Sequence, residues 1–417
     1  MNKLIIFSLL LFSNIHSQTI DGINYSNRAY VYKTFDMYGE DIFGQRFLSE
    51  NYTFKDEVTG AQINALTTSR HRSSTMYQTH PQWTVDGKYI IFRSDRTARR
   101  GENRRGTGQY YAISMENFEI VQITTGERGS EPHLGWHKNV AYRFRNNQLI
   151  EINLGKLLQD SEKDCVGKPE DYEKVLATVP DSIRTNGIGL DAEENRVFFS
   201  TRLGEDLSAI FSVDFENGKV TKLLEVPFRI GHLQSNPYVS GEVMYCWETG
   251  GDSPQRMWYL TVNKDGSVKN QPLYKETDYD WVTHEVFMGP DHVMFHLMGH
   301  IDRLRQHRTG LISINIRTGE TTYHGQTGGG GYWHCNATRD RKWIVSDTFD
   351  GKLYRLNSAD TSDVTLLTQG HRLLSKSPFT EEAHSHHSIS PDGKWVLFNS
   401  SFLTESDIMQ VRLFPEK

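Results

Sequence analysis

Between residues 381 and 387 the chain reads Glu-Glu-Ala-His-Ser-His-His. His384 and His386 are two positions apart, and on an extended segment that spacing turns both imidazoles to one side, as two ligands of one ion require. Glu381 is near enough in sequence to reach the same ion. The chain has 17 histidines, and several stand just before short apolar runs. His71 and His80 precede the first, His232 (RIGHLQSNP) the fourth and His284 (WVTHEVF) the fifth. His334 (GYWHCNATRD) takes the place of His284 one repeat later. Imidazole and carboxylate together suit Mn²⁺, Zn²⁺, Fe or Ni, and spacing does not choose among them. A histidine at such a place also commonly does no more than hydrogen-bond a nearby turn. That is the reading for His133, His137, His300 and His307, and for His232 the structural and catalytic readings stand level. Of the three cysteines, Cys165, Cys246 and Cys335, the last is next to His334. It is read as a buried thiol, with metal ligation as the alternative.

The elements that must position these residues show in a repeat. A short β-rich run recurs seven times: KYIIFRS from Lys88, NVAYRFR from Asn139, NRVFFSTR from Asn195, EVMYCWE from Glu242, HVMFHLM from His292, KWIVSDT from Lys342 and KWVLFNS from Lys394. The starts are 51, 56, 47, 50, 50 and 52 residues apart. Turns such as VDGK and PDGK introduce them, and Asp-Gly is a strong hairpin signal. Stretches such as Ile210 to Leu224 and Leu311 to His324 then alternate apolar residues around an Asn-Gly or Thr-Gly turn, as an outer hairpin would. Four strands per repeat and seven repeats predict an all-β fold, a seven-bladed β-propeller. The seven runs are taken as inner strands. The segment from Tyr52 to Leu66 is expected to close the ring by joining the last blade. A short helix is expected near Lys156 to Asp164 or in the insert from Lys168 to Lys174.

The formal charge of -6 excludes the basic footprint of a nucleic-acid binder. Eight Trp, 19 Tyr and 21 Phe suit strands and also the stacking floor of a sugar site. Lys3, the apolar run Leu4 to Phe12 and a cleavage point at Ser17-Gln18 read as a signal peptide over residues 1–17, too short to span a bilayer. The expectation is an exported protein, periplasmic or secreted, whose residues 18–417 form one propeller domain not inserted in a membrane.

Several segments in blade order resemble the oligogalacturonate lyases, seven-bladed propellers that split pectin-derived uronate oligomers by β-elimination. They are HRSSTMYQ from His71, IGHLQSNP from Ile230, the stretch from Tyr245 through MWYL to Gly266, THEVFMGPD from Thr283, and HSHHSISPDGKWVLFNS from His384. The resemblance implies His232 as general base and His284, His384 and His386 as metal ligands. The fourth ligand, a glutamine in the family, falls on Glu381, and the implied cofactor is a divalent metal, Mn²⁺ foremost. The candidate substrate-binding set is His71, Arg72, Tyr77, Arg202, Arg229, Arg256 and His334: Arg72 and Arg256 as basic residues able to bind further carboxylates, and Arg202 and Arg229 as candidates for the family's arginine before the base. The implied partner is a uronic-acid oligosaccharide, cleaved to 4,5-unsaturated uronates. The alternatives are a lyase for another uronic-acid glycan, such as a marine polysaccharide, and a non-enzymatic propeller binding module.

Overall fold

The computed structural model describes residues 42–415 apart from 70, 97–107, 127–128, 251, 329–330 and 373–383, with two short strands at Thr19–Ile20 and Ile23–Asn24. The signal-peptide segment 1–17 and Glu381 lie outside the described residues.

Seven antiparallel sheets form the blades of a β-propeller. Blades 2 to 6 have four strands each, in simple up-and-down order. In blade 1 the strand Arg46–Phe47 adds to the outer edge, beside Ile120–Gln122. Blade 7 is assembled from both ends of the chain: Asp407–Arg412 pairs with Gln62–Ala65, which pairs with Tyr52–Lys55. The ring is therefore closed by the expected segment, and hydrogen bonds replace the covalent link that a closed ring cannot have.

The seven apolar runs are not the innermost strands, as expected from sequence, but the second strand of each blade. The reason is packing. A second strand is covered by neighbouring blades on both faces, so it reads as a continuous apolar run. In Tyr89–Ser94, Ile90 and Phe92 pack with Leu397 and Ile408 of blade 7, while Ile91 packs with Ala141 and Ile150 of blade 2. Each such side chain, fully buried, contributes about 1.5–3 kcal/mol of transfer free energy. The innermost strands precede the runs, are no longer than the runs themselves and more polar, and line the central channel. The VDGK and PDGK turns join the two. Gly87 and Gly393 adopt φ of +70° and +69° there, and Asp86 and Asp392 accept from the backbone N–H of Lys88 and Lys394.

The helix Leu154–Glu162 is an insert between the last two strands of blade 2. Asn153 caps it by accepting from the Lys156 N–H, and Leu154, Leu157 and Leu158 pack it against the seam of blades 1 and 2. The second candidate insert holds only the short 3-10 turn Pro169–Asp171.

One irregularity recurs around the channel. In the innermost strands of blades 3 to 6, the register to the second strand shifts by one residue, at Asn186/Gly189, Gly231/Gln234, Thr283/Val286 and Tyr332/Cys335. The same shift separates the pairing of Ser385 with Asn399 from that of Ser388 with Leu397 in blade 7. In blade 2 it separates Ser130 with Phe144 from His133 with Tyr142. Each is a β-bulge, which re-aims the side chains inside it. The first residue within the bulge is Glu131, Gly187, His232, His284, Trp333 and His386 in blades 2 to 7.

Candidate active site

The bulge turns a repeat into a site. His232, His284 and His386 hold the same bulge position in blades 4, 5 and 7, and all have left-handed backbone, with φ of 47°, 55° and 39°. A β-strand residue other than glycine rarely adopts that region, and such strain concentrates at functional sites. At this position in blade 6 stands Trp333, not His334. The sequence reading that made His334 the equivalent of His284 is one residue out of phase, because His284 is the first residue of its bulge whereas His334 follows the first, Trp333.

Despite that offset, His334 joins the histidine cluster. One ring nitrogen each of His334, His384 and His386 lie within 4.8 Å of one another. His334 is fully buried; its Nδ1 lies 2.9 Å from Asp347 Oδ2 and its Nε2 has no hydrogen-bond partner among the described residues. Asp347 also accepts from Ser385 Oγ at 2.7 Å and from the His334 N–H at 2.6 Å, and Ser346 Oγ donates to the His334 carbonyl. A carboxylate on one imidazole nitrogen, with the other nitrogen left for an ion, is the usual outer support of a metal-binding histidine. Burial, then the neighbouring imidazoles, hold His334 well below the usual histidine range, and the same causes bring His386 down to about 3. Both are thus neutral, the form that ligates metal. His284 touches this cluster through His334, ring centres 4.0 Å apart, and its Nδ1 bonds the Trp333 carbonyl at 2.8 Å. Trp333 covers His384 at 4.2 Å.

On the other side stands His232. Its Nδ1 lies 3.1 Å from the Tyr77 hydroxyl and 3.6 Å from Glu285 Oε2, and its Nε2 lies 3.5 Å from Glu248 Oε2. Arg256 binds Glu285 through Nε at 2.5 Å and faces Glu248 at 3.7 Å. Burial lowers the His232 pKa, against the pull of Glu285 and Glu248, so the ring is neutral near pH 7. Burial works against the Glu285 carboxylate, but the Arg256 guanidinium outweighs it and keeps it ionised. Tyr77 links the two halves of the site: its ring packs edgewise on His232 at 5.3 Å and on His386 at 5.0 Å. Burial pushes its phenol well above the usual range, so it remains a neutral hydrogen-bonding group. Beside His232 a cavity of about 430 Å³ runs along Tyr77, His80, Glu131, Asn186 and Leu233, within the usual size of ligand pockets, about 300–1,000 Å³.

The other sequence candidates are spread more widely. Arg256, singled out for substrate carboxylates, is committed to two carboxylates of the protein. Arg202 is exposed and bonds the Gly204 and Glu205 carbonyls of its own loop. Arg229 is exposed, and its carbonyl accepts from the Glu248 N–H at 2.8 Å. His71 is buried, with Nδ1 3.6 Å from Asp95, whose carboxylate also accepts from the Arg72 N–H. Of the four histidines read as structural, His133, His137 and His307 each bond a backbone carbonyl, and His300 packs edgewise on Trp281. Glu248, Glu285 and Asp347 were not singled out from sequence. Glu285 directly follows His284, and that adjacency was a readable signal.

No family model matches the chain. An oligogalacturonate lyase of Dickeya dadantii (strain 3937) is 23% identical to it over 395 residues, which is 86% of this chain and 94% of that protein. Among solved structures, an oligogalacturonate lyase in complex with manganese has a TM-score of 0.74 at 18% identity, covering 90% of this chain and 98% of that one. An oligogalacturonate lyase from Vibrio parahaemolyticus has a TM-score of 0.73 at 20% identity, covering 90% and 99%. The likeness is to the oligogalacturonate lyases. It spans nearly the full length of those lyases.

Proposed function

We propose that this protein is a lyase of short uronate oligomers, pectin-derived oligogalacturonides first among them, working by metal-assisted β-elimination. One observation carries the reading: the histidine cluster around His334 and the carboxylate-flanked His232 face each other across a single tyrosine, beside a cavity of ligand size. A merely structural propeller has no need of such a convergence. The likeness to lyases, one of them holding manganese, supports the same reading.

His334, His384 and His386 fit a divalent ion, because their donor nitrogens converge and His334 is held by Asp347 with Nε2 left over. His284 and Glu381, implied by the resemblance, complete the proposed ligand set. The chemistry an ion such as Mn²⁺ supplies there is Lewis-acid neutralisation of the uronate carboxylate, which acidifies the C5 proton. His232 takes that proton as general base. With Nδ1–H donating to the Tyr77 oxygen, Nε2 keeps its lone pair. Glu248 beside Nε2 and Glu285 beside Nδ1 then stabilise the imidazolium that forms. Arg256 holds both carboxylates in place. The carbanion expels the 4-linked sugar, leaving a 4,5-unsaturated uronate. The leader-like segment 1–17 supports an exported enzyme. The test is incubation with oligogalacturonides and with other uronate oligomers, with and without Mn²⁺, following the ultraviolet absorbance of the unsaturated product. If no uronate oligomer gives absorbance in the presence of Mn²⁺, the reading falls.

A further inference from the structure

We propose that His232, Cys246 and Glu248 form a second cation site, one that takes a thiophilic divalent ion such as Zn²⁺ and silences the base. The site is built from two adjacent strands of blade 4, Ile230–Ser235 and Glu242–Trp247. Gly231 pairs directly with Cys246, and the bulge that follows swings His232 back over its neighbour strand. Cys246 and Glu248, two positions apart on an extended segment, point to the same side.

The donors already lie close to the spacing that an ion requires. One donor atom of each residue lies within 4.8 Å of the others. Glu248 Oε2 is 3.5 Å from His232 Nε2 and 3.8 Å from Cys246 Sγ. In a tetrahedral zinc site, with bonds of about 2.0–2.3 Å, neighbouring donors are separated by about 3.3–3.6 Å. Room for the carboxylate comes from Gly231, where an added Cβ would lie 2.9 Å from Glu248 Cβ and 3.0 Å from its Oε2.

Charge points the same way. Arg256 is matched by Glu285 at 2.5 Å, so Glu248 is left as surplus negative charge. When an ion binds, the S–metal bond forms as the Cys246 thiol gives its proton to solvent. Thiolate and Glu248 together then cancel the two positive charges. The thiolate also separates this site from the histidine cluster. Sulfur selects zinc-like ions, whereas an all-imidazole and carboxylate set does not discriminate against Mn²⁺. Cys246 is buried, and His232 and Glu248 reach the surface only in part, so an ion entering from the cavity beside His232 meets the imidazole first. An ion on Nε2 occupies the lone pair that takes the substrate proton. That inhibitory consequence rests on His232 being the base, as proposed above; the binding itself does not.

The test uses the full chain, with Co²⁺ as a spectroscopic stand-in for Zn²⁺ and no substrate present. Titration should raise a sulfur-to-cobalt charge-transfer band in the near ultraviolet. The band should vanish in Cys246→Ala and persist in His384→Ala, which cripples the histidine cluster. Where the alanine variant does not fold, Cys246→Ser with native-like thermal unfolding replaces it. Glu248→Gln should weaken binding by about tenfold or more, since loss of even an outer partner costs roughly 10–100-fold in metal affinity. Zn²⁺ added to the Mn²⁺-loaded protein should suppress elimination, and Cys246→Ala should resist it. A wild-type chain without the band overturns the proposal. So does a band that survives Cys246→Ala, which would assign it to Cys165 or Cys335. Because the band is read without turnover, an inactive enzyme leaves the result readable.

Discussion

Tyr77 and His232 are 155 residues apart in sequence and meet at the channel, hydroxyl to Nδ1 at 3.1 Å. In the proposed mechanism that contact assigns the roles of the two imidazole nitrogens. Tyr77 occupies Nδ1, and Nε2 remains for a substrate proton. The phenol, held neutral by burial, is a poor base itself. His232→Ala should therefore lower the rate of elimination by about 10²–10⁴-fold. Metal content after dialysis and the unfolding temperature should stay near wild type, because the ring makes no contact that closes the core. A variant that stays active would remove His232 from the mechanism. Tyr77→Phe should give a smaller loss, since it frees the ring orientation without removing the base.

How far the site could be read from the chain follows from which residues the repeat phases correctly. The seven second strands stand out because blades cover both their faces, so Phe92, Phe198, Phe295 and Phe398, all fully buried, recur at nearly even spacing. The innermost strands are short and interrupted by the bulge, and their polarity matches that of loops. In the sequence their histidines stand only as residues ahead of the apolar runs, whereas His232 and His284 are on strands of their own. The one-residue offset that puts Trp333 at the place of His284 is a matter of hydrogen-bond register, which sequence spacing does not report. The pairing of Arg256 with Glu285 joins two blades across 29 residues, and no local pattern announces it.

The carboxylate behind the histidine cluster gives a second expectation. Asp347 holds His334 by Nδ1 and by its backbone N–H, and Ser385 on the His384–His386 segment bonds the same carboxylate. Asp347→Asn keeps the shape but loses the charge that strengthens the imidazole as a donor. Mn²⁺ affinity should fall roughly 10–100-fold, measured by calorimetric titration of the metal-stripped protein. His334→Ala should bind more weakly still. Affinity unchanged in both would take His334 out of the ligand set.

Arg256 makes a stability prediction. Its side chain and that of Glu285 are 5% and 1% exposed, so the pair is inside the protein rather than at its surface. Removing one partner of a buried pair leaves a charge without compensation, at a cost of about 3–5 kcal/mol. Arg256→Met should lose stability on that scale in urea unfolding. Adding Glu285→Gln to it should recover much of the loss, as the orphaned charge is gone. Equal instability in the single and double variants would show that packing of the arginine stem, not charge, dominates.

The pH dependence of stability should carry the mark of Asp407. This residue is fully buried in blade 7, where its carboxylate accepts from the Thr404 N–H at 2.9 Å. Burial raises its pKa to about 7, Thr404 opposes and Glu50 adds to the rise. Glu276, also by burial, is raised to about 7. In the unfolded chain both carboxyls titrate near 4. Between about pH 4 and pH 7 the folded state therefore holds more protons than the unfolded state. Stability must then fall as pH rises through that window, by up to about 1.4 kcal/mol per pH unit for each proton held. Above the folded pKa the contribution is constant. Asp407→Asn removes one such group while keeping a hydrogen-bonding side chain of the same shape. Its stability relative to wild type, followed by urea unfolding from pH 4.5 to pH 8, should rise with pH across the window and level off beyond it. Parallel curves for the two proteins would mean that Asp407 keeps its ordinary acidity in the folded state.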